Sequence, residues 1–204
     1  MISRLLTICG LVLATACSTA PMRMDKYNEG NWHARALVKD KEHSRSYIVN
    51  LDFNAVRHQA LRVDVTSTLG QQVAALVSSP SEMKFLTSDN KKFYVGAPKP
   101  DALKTILNLP IDPRWFENIL FDQPIAGKNW TCTNGPDGLV SECHEQGTNL
   151  AVVWTNRKGQ QRSVDISHPK AKIQMNFRSF SAKVEKNDHL FDLQQPDGYQ
   201  AVHL

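Results

Sequence analysis

Few side chains in this 204-residue chain are grouped as catalysis requires. There is no Gly-x-Ser-x-Gly elbow to present a serine nucleophile, no His-Glu-x-x-His pair to hold zinc, and no glycine-rich loop to cradle phosphate. The seven histidines, His33, His43, His58, His144, His168, His189 and His203, are scattered singly. Scattered singles are ordinarily surface residues, and His33, beside Trp32, reads as a wall residue near an interior rather than a ligand. Asp64 and Asp165 sit inside strand-like runs, on the wet faces. His144 and Glu145 follow Cys143, which raises a metal site as the rival reading of that cysteine, but no second ligand pair has the matching spacing. The chain therefore reads as a non-enzyme, with neither cofactor nor metal.

The cysteines carry the remaining chemistry. Arg4 is followed by about 12 apolar or small residues, Leu5 to Ala16, the layout of a secretory signal. The run is too short to cross a bilayer, which takes about 20 residues. Leu13-Ala14-Thr15-Ala16-Cys17 resembles a bacterial lipobox, in which small residues precede a cysteine that is acylated before the signal is cut. Residues 1–16 are accordingly read as signal peptide and Cys17 as the lipid-modified N-terminus; the competing reading is an ordinary signal cut near Ala20-Pro21. Acyl chains stabilise anchoring by about 0.8 kcal/mol per buried methylene, and two chains hold firmly. Ser18 follows the cysteine, and in lipoproteins a residue other than Asp there implies onward transport to the outer membrane. Cys9 leaves with the signal. Cys132 and Cys143 remain in an oxidising compartment and read as a disulfide around Asn134-Gly135-Pro136-Asp137-Gly138, a hairpin tip. Closing such a loop contributes about 2–3 kcal/mol.

Residues 17–204 suit a single domain. With 41% hydrophobic and 22% charged residues, general disorder is not expected. The net charge is +4, or +3 without Arg4, and no block of like charges argues for nucleic acid. No second apolar segment is long enough to span a membrane. Residues 17–30 read as a lipidated tether and 31–204 as the domain, expected to be monomeric. Alternation predicts strands at Trp32–Val38, Ser46–Phe53, Leu61–Val65, Val73–Val77, Met83–Leu86 and Lys92–Val95, with turns at Thr68-Leu69-Gly70, Ser79-Pro80-Ser81 and Asp89-Asn90. Two short helices are predicted at 100–108 and 113–121, the second opened by Asp112-Pro113. Strands resume near 129–133, 139–144, 149–156, 161–167 and 171–179, and Phe191-Asp192-Leu193 suggests a final short one. The class is mainly β, an antiparallel sheet of about 10–11 strands that must curl or close. The helices need an apolar surface, and the concave face of the sheet supplies it.

Residues 61–126 carry a more specific pattern. A strand ends in Thr68-Leu69-Gly70; Lys92-Phe93-Tyr94-Val95 follows; a helix leads into Asn108-Leu109-Pro110-Ile111-Asp112-Pro113; a second helix holds Trp115 and Ile119-Leu120 and ends before Gln123-Pro124. This order and spacing resembles the LolB family of outer-membrane lipoproteins, within the LolA/LolB half-barrel superfamily. There are departures: Asn108 stands where the family often has Gly, Asp112 where it often has Pro, and Phe121-Asp122 where a Leu-Gly or similar small pair is usual. The Cys132–Cys143 loop is not a family feature, and the N-terminal strands lack the expected glycine and tryptophan pattern.

The resemblance implies an incomplete β-barrel with helices over its open mouth, enclosing an apolar cavity for acyl chains. It implies lipoprotein cargo, a periplasmic carrier that delivers it, and an exposed leucine in the Leu-Gly turn, here Leu69, that helps place cargo in the membrane. Candidate cavity residues are Tyr47, Val49 and Leu51 in the second strand, Val63 and Leu76 in the third and fourth, Leu103, Ile106 and Leu107 in the first helix, Trp115 and Ile119 in the second, and Ile173, Met175 and Phe177 near the end. Each also reads as ordinary core, and for most of them taken singly that reading is the favoured one. Two functions follow: binding acyl chains of lipoproteins or lipids and aiding their insertion into the outer membrane, or serving as a structural adaptor whose cavity is filled.

Overall fold

The computed structural model describes residues 20–99, 102–104, 111–184 and 189–204. Alternating polar and apolar residues give strand after strand: β1 (Glu29–Asp40), β2 (Arg45–Val56), β3 (Ala60–Ser67), β4 (Gln72–Ser78), β5 (Met83–Thr87), β6 (Lys92–Gly96), β7 (Trp130–Asn134), β8 (Val140–Glu145), β9 (Leu150–Lys158), β10 (Gln161–Ser167), β11 (Ala171–Ser181) and β12 (Gln200–His203). They form one sheet in the order β12-β6-β5-β4-β3-β2-β1-β11-β10-β9-β8-β7. The edges β12 and β7 do not pair, so the barrel is incomplete and open. Every pairing is antiparallel except β12 on β6.

Alternation sends one residue in two to the inner face, where Trp32, Phe53, Val63, Phe85, Val152, Val164 and Met175 join one core cluster. The inserted helix α1 (Trp115–Leu120) covers that face with Phe116, Ile119 and Leu120. Ahead of it, Asp112 accepts a hydrogen bond from the Arg114 amide at 3.0 Å, and its carbonyl accepts the Trp115 amide, which fixes the start. Of the predicted 100–108 helix only Ala102, Leu103 and Lys104 are described, and Lys104 is helical. No helix among the described residues is long and apolar enough to cross a membrane.

One predicted strand is corrected. Phe191-Asp192-Leu193 does not join the ladder; the last strand is β12, which begins seven residues after Leu193 and runs parallel to its neighbour. The cause lies in β4 to β6, which are apolar on both faces. Ala75, Val77, Leu86 and Phe93 point outward, and Leu193, Phe191 and Tyr199 cover them as a second, smaller cluster. The apolar alternation of 191–193 serves as a cover for the outside of the sheet rather than as a strand within it.

The register sorts the turns into two ends. Asp40 lies beside Arg45 and Ala171, and Val49 beside Ser67, so the β1–β2, β3–β4 and β10–β11 turns share one end, the rim. The β2–β3, β4–β5, β7–β8 and β9–β10 turns share the other, the base, where β1 begins at Glu29 beside Val56.

Cys132 and Cys143 stand opposite each other in β7 and β8 and are joined by a disulfide, S–S 2.01 Å, across the hairpin turned by Gly135 to Leu139. The bridge closes a loop of 11 residues' separation on an edge hairpin. Replacing both cysteines by serine is expected to lower stability by about 2–3 kcal/mol. Urea denaturation of the two chains measures this, and coincident midpoints would show that the bridge contributes nothing.

Candidate functional site

The space between the sheet and its helical cover is the candidate site. Val49, Leu51, Val63, Leu76, Leu103, Ile119, Ile173, Met175 and Phe177 all lie in the single inner cluster, each at most 8% exposed, and Trp115 packs against it half-buried. Ile106 and Leu107 lie outside the described residues. Tyr47 does not belong: it is 50% exposed. It has the inward parity of Val49 and Leu51, but the last residue of β3 pairs with Val49, so β2 overhangs that neighbour and leaves Tyr47 half exposed. His33 also faces outward, against Asp52.

Rings close the interior. Phe53 lies between Phe116 of α1 at 6.3 Å and Phe177 at 5.8 Å, and Phe121 meets Trp32 edge-to-face at 5.1 Å. Trp115 meets Trp130 of β7 at 4.9 Å, closing the side next to the free edge. The covering segment is thus packed down onto the inner face.

A buried charge cluster pins its far end, and sequence reasoning did not find it. After α1 the chain turns with Asp122 at φ +49°, the Asp122 amide bonding to the Ile119 carbonyl and the Gln123 amide to the Asn118 carbonyl at 2.8 Å. That is a Schellman ending with Asp where Gly is usual, and Asp tolerates the left-handed backbone better than most residues. Arg162 of β10 points inward beneath it. Its Nη2 donates to the Leu120 carbonyl at 2.7 Å, its Nε lies 3.1 Å from Asp122 Oδ1, and its guanidinium stacks 4.3 Å from the centre of Phe177. A cation at the carbonyl end of a helix is favourably placed. Arg157 approaches the same carboxylate at 3.6 Å and Asp137 at 3.8 Å. Neither Asp122 oxygen has an aligned hydrogen bond, so the carboxylate is held by charge, while the guanidinium of Arg162 is held by the helix carbonyl. Burial pushes the Asp122 carboxyl above its usual range, against the opposing pull of Arg162 and Arg157. Burial likewise lowers Arg162 to about 10. The signal was present in the alternation: in Arg162-Ser163-Val164-Asp165-Ile166, Arg162 shares the parity of two dry residues.

A second latch lies at the base. The His58 amide donates to both oxygens of Glu117 on α1 at 3.1 Å, and His58 Nδ1 lies 3.1 Å from Oε1. A groove of about 340 Å³ opens beside it, lined by residues that include Leu61, Pro80, Pro113, Arg114 and Ala126. None of the inner-face candidates lines it. No group of three or more His, Cys, Asp or Glu side chains able to hold a metal comes together among the described residues.

The rim has a different character. Leu69, at the tip of the β3–β4 turn, is 86% exposed, and Tyr47, Ile48 and Val73 are exposed beside it. Lys41 and Lys170 stand on the adjoining β1–β2 and β10–β11 turns and Lys39, Arg45 and Lys172 on the strand ends that flank them, Lys170 and Lys172 paired with Glu42 and Asp165.

No family model matches the chain, and no curated protein matches it in sequence. Solved structures do. A LolA superfamily protein from Nitrosomonas europaea is similar with a TM-score of 0.52 and 6% identity, over 84% of this chain and 94% of that one. A DUF1329 family protein from Desulfovibrio piger gives 0.46 and 8%, over 83% and 91%. An uncharacterized conserved protein from Thermus thermophilus gives 0.43 and 9%, over 85% and 90%. The first likeness shows that the fold is LolA-like.

Proposed function

We propose that this chain is a non-catalytic envelope lipoprotein of LolB-like type. It is held on the outer membrane by acylated Cys17, with its domain in the periplasm, and its half-barrel accepts acyl chains of lipoproteins or lipids from a carrier and aids their insertion into that membrane. One observation carries the reading: an open sheet whose apolar inner face is covered by a short segment fastened at two points, Asp122 with Arg162 and His58 with Glu117. The lipobox-like Leu13–Cys17, Ser18 and the LolA-like fold support it. The energetics suit exchange. A 16-carbon chain leaving water contributes roughly 10 kcal/mol at about 0.8 per methylene. Lifting Phe116, Ile119, Leu120 and Phe121 off the inner face costs a comparable amount at about 1.5–3 kcal/mol each. Near-balance of the two lets cargo enter and leave.

The close packing of the inner face favours a second reading, in which the interior is permanently filled and the protein is an adaptor for another envelope protein. Native mass spectrometry separates the two, on the chain with Cys17 replaced by serine and purified from a bacterial periplasm. Co-purified acyl lipid or lipopeptide, or uptake of an added fatty-acyl probe, supports the acyl-binding reading. A clean apo mass without uptake rejects it in favour of the adaptor.

In the acyl-binding reading the rim meets the bilayer, with Leu69 as the membrane-insertion turn. Burying one leucine contributes about 1.5–3 kcal/mol. Leu69→Asp is therefore expected to weaken binding of the unacylated chain to phosphatidylglycerol-containing vesicles by about tenfold or more. Equal co-sedimentation of the two chains would remove Leu69 from that role.

A further inference from the structure

The N-terminal segment ahead of β1 lies on the base, at the end of the barrel opposite Leu69. Its Met22 amide donates to the Gly159 carbonyl of the β9–β10 turn at 2.7 Å, and its Asn28 carbonyl accepts from the Arg57 amide at 2.8 Å. Arg57 Nη2 donates to the Asp25 carbonyl, Met24 is 1% exposed, and Tyr27 packs on Phe180 at 4.9 Å. Cys17 is three residues before Ala20, a span of at most about 10 Å. The 12 residues of β1 extend for about 40 Å. A lipid on Cys17 therefore fixes the base to the membrane while the segment is docked, and Leu69, Tyr47 and Ile48 stand about a strand length away from it.

We infer that residues 20–28 are a releasable strap whose docking decides which end of the barrel faces the anchoring membrane. Docked, the rim faces the periplasm, where a cargo carrier arrives. Released, residues 17–28 reach about 40 Å when extended, which matches the barrel height and lets the rim descend to the bilayer that holds the lipid. The strap is suited to release: it pairs with no strand, it buries Met24 as its one fully covered large side chain, and its Arg23–Asp25 ion pair lies within itself. The inference rests on the reading of Cys17 as the anchor and Leu69 as the membrane-facing turn.

The test uses the full acylated chain reconstituted in phosphatidylethanolamine and phosphatidylglycerol vesicles, with an environment-sensitive fluorophore on Thr68→Cys, beside Leu69. A strap locked by Tyr27→Cys with Phe180→Cys is expected to lose the blue shift that membrane contact gives. Straps freed by Met24→Asp or by Met22→Pro are expected to keep or increase it; the second removes the amide that donates to Gly159 and leaves Met24 in place. Far-UV circular dichroism verifies that each variant is folded. A locked chain that floats with the vesicles and shows an undiminished blue shift overturns the strap. So does a freed chain that floats and stays wet. A chain that does not float with the vesicles overturns the anchor reading itself, and flotation reports that separately from fluorescence.

Discussion

Arg162→Met lowers the stability of this protein by about 3–5 kcal/mol, the usual consequence of leaving a buried charge without its partner. Asp122 is 4% exposed, so water cannot replace the lost guanidinium, and Arg157, at 3.6 Å, is the more distant of the two cations. The loss is pH-dependent. Burial already holds the Asp122 carboxyl above its ordinary value of 3.8, and Arg162 is the largest influence pulling it down. Without Arg162 the carboxyl rises further. A carboxyl raised in the folded state keeps its proton where the unfolded chain has released it, so it favours folding at low pH and loses that contribution as pH rises through its folded value. The gap between wild type and Arg162→Met therefore narrows as pH falls from 7 toward the ordinary carboxylate range. Thermal or urea unfolding across that range measures it. The double variant Asp122→Asn, Arg162→Met, which removes both charges, recovers part of the loss. A gap that is constant with pH, or a double variant no better than the single, would show that the cost comes from lost packing on Phe177 instead.

This cluster also marks where sequence reading stops. The faces of the strands were legible because alternation has a period of two and burial follows it: Ile173, Met175 and Phe177 go inward as their spacing requires. Tyr47 has the right parity and the wrong place, because parity specifies a face and says nothing of where the neighbouring strand ends. Phe191 and Leu193 have strand-like spacing, but the demand they meet comes from the two-faced apolar residues of β4 to β6, far away in sequence. Arg162 was visible as a charge on a dry parity. Its meaning depends on a helix end about 40 residues earlier that supplies both carbonyls and a carboxylate. Phe121-Asp122 stood out in sequence as a departure from a small pair. The φ of +49° at Asp122 shows that the left-handed turn was kept while its side chain was turned to a second use.

Phe121 gives the experiment that separates the two functions most sharply. Its ring is fully buried, set edge-on against Trp32 and covered by the Arg57 guanidinium at 4.5 Å. It is one of the two residues of the covering segment, with Leu120, that are wholly inaccessible to solvent. Phe121→Ala is expected to cost about 3–5 kcal/mol. How that cost is distributed depends on the function. If the segment is a lid that opens for acyl chains, much of the loss falls on the closed state alone, and the open, binding-competent fraction rises. A shift of about 3 kcal/mol raises a minor open population roughly 100-fold until it saturates, and the apparent affinity for a fatty-acyl probe rises with it. If the interior is permanent core, Phe121→Ala lowers the global stability by the same amount and leaves probe uptake where it was. The decisive quantity is therefore the ratio of the two effects: probe titration by fluorescence, set against urea unfolding of the same chain. Tighter probe binding with lower stability supports the lid, whereas lower stability alone assigns the half-barrel to the adaptor role.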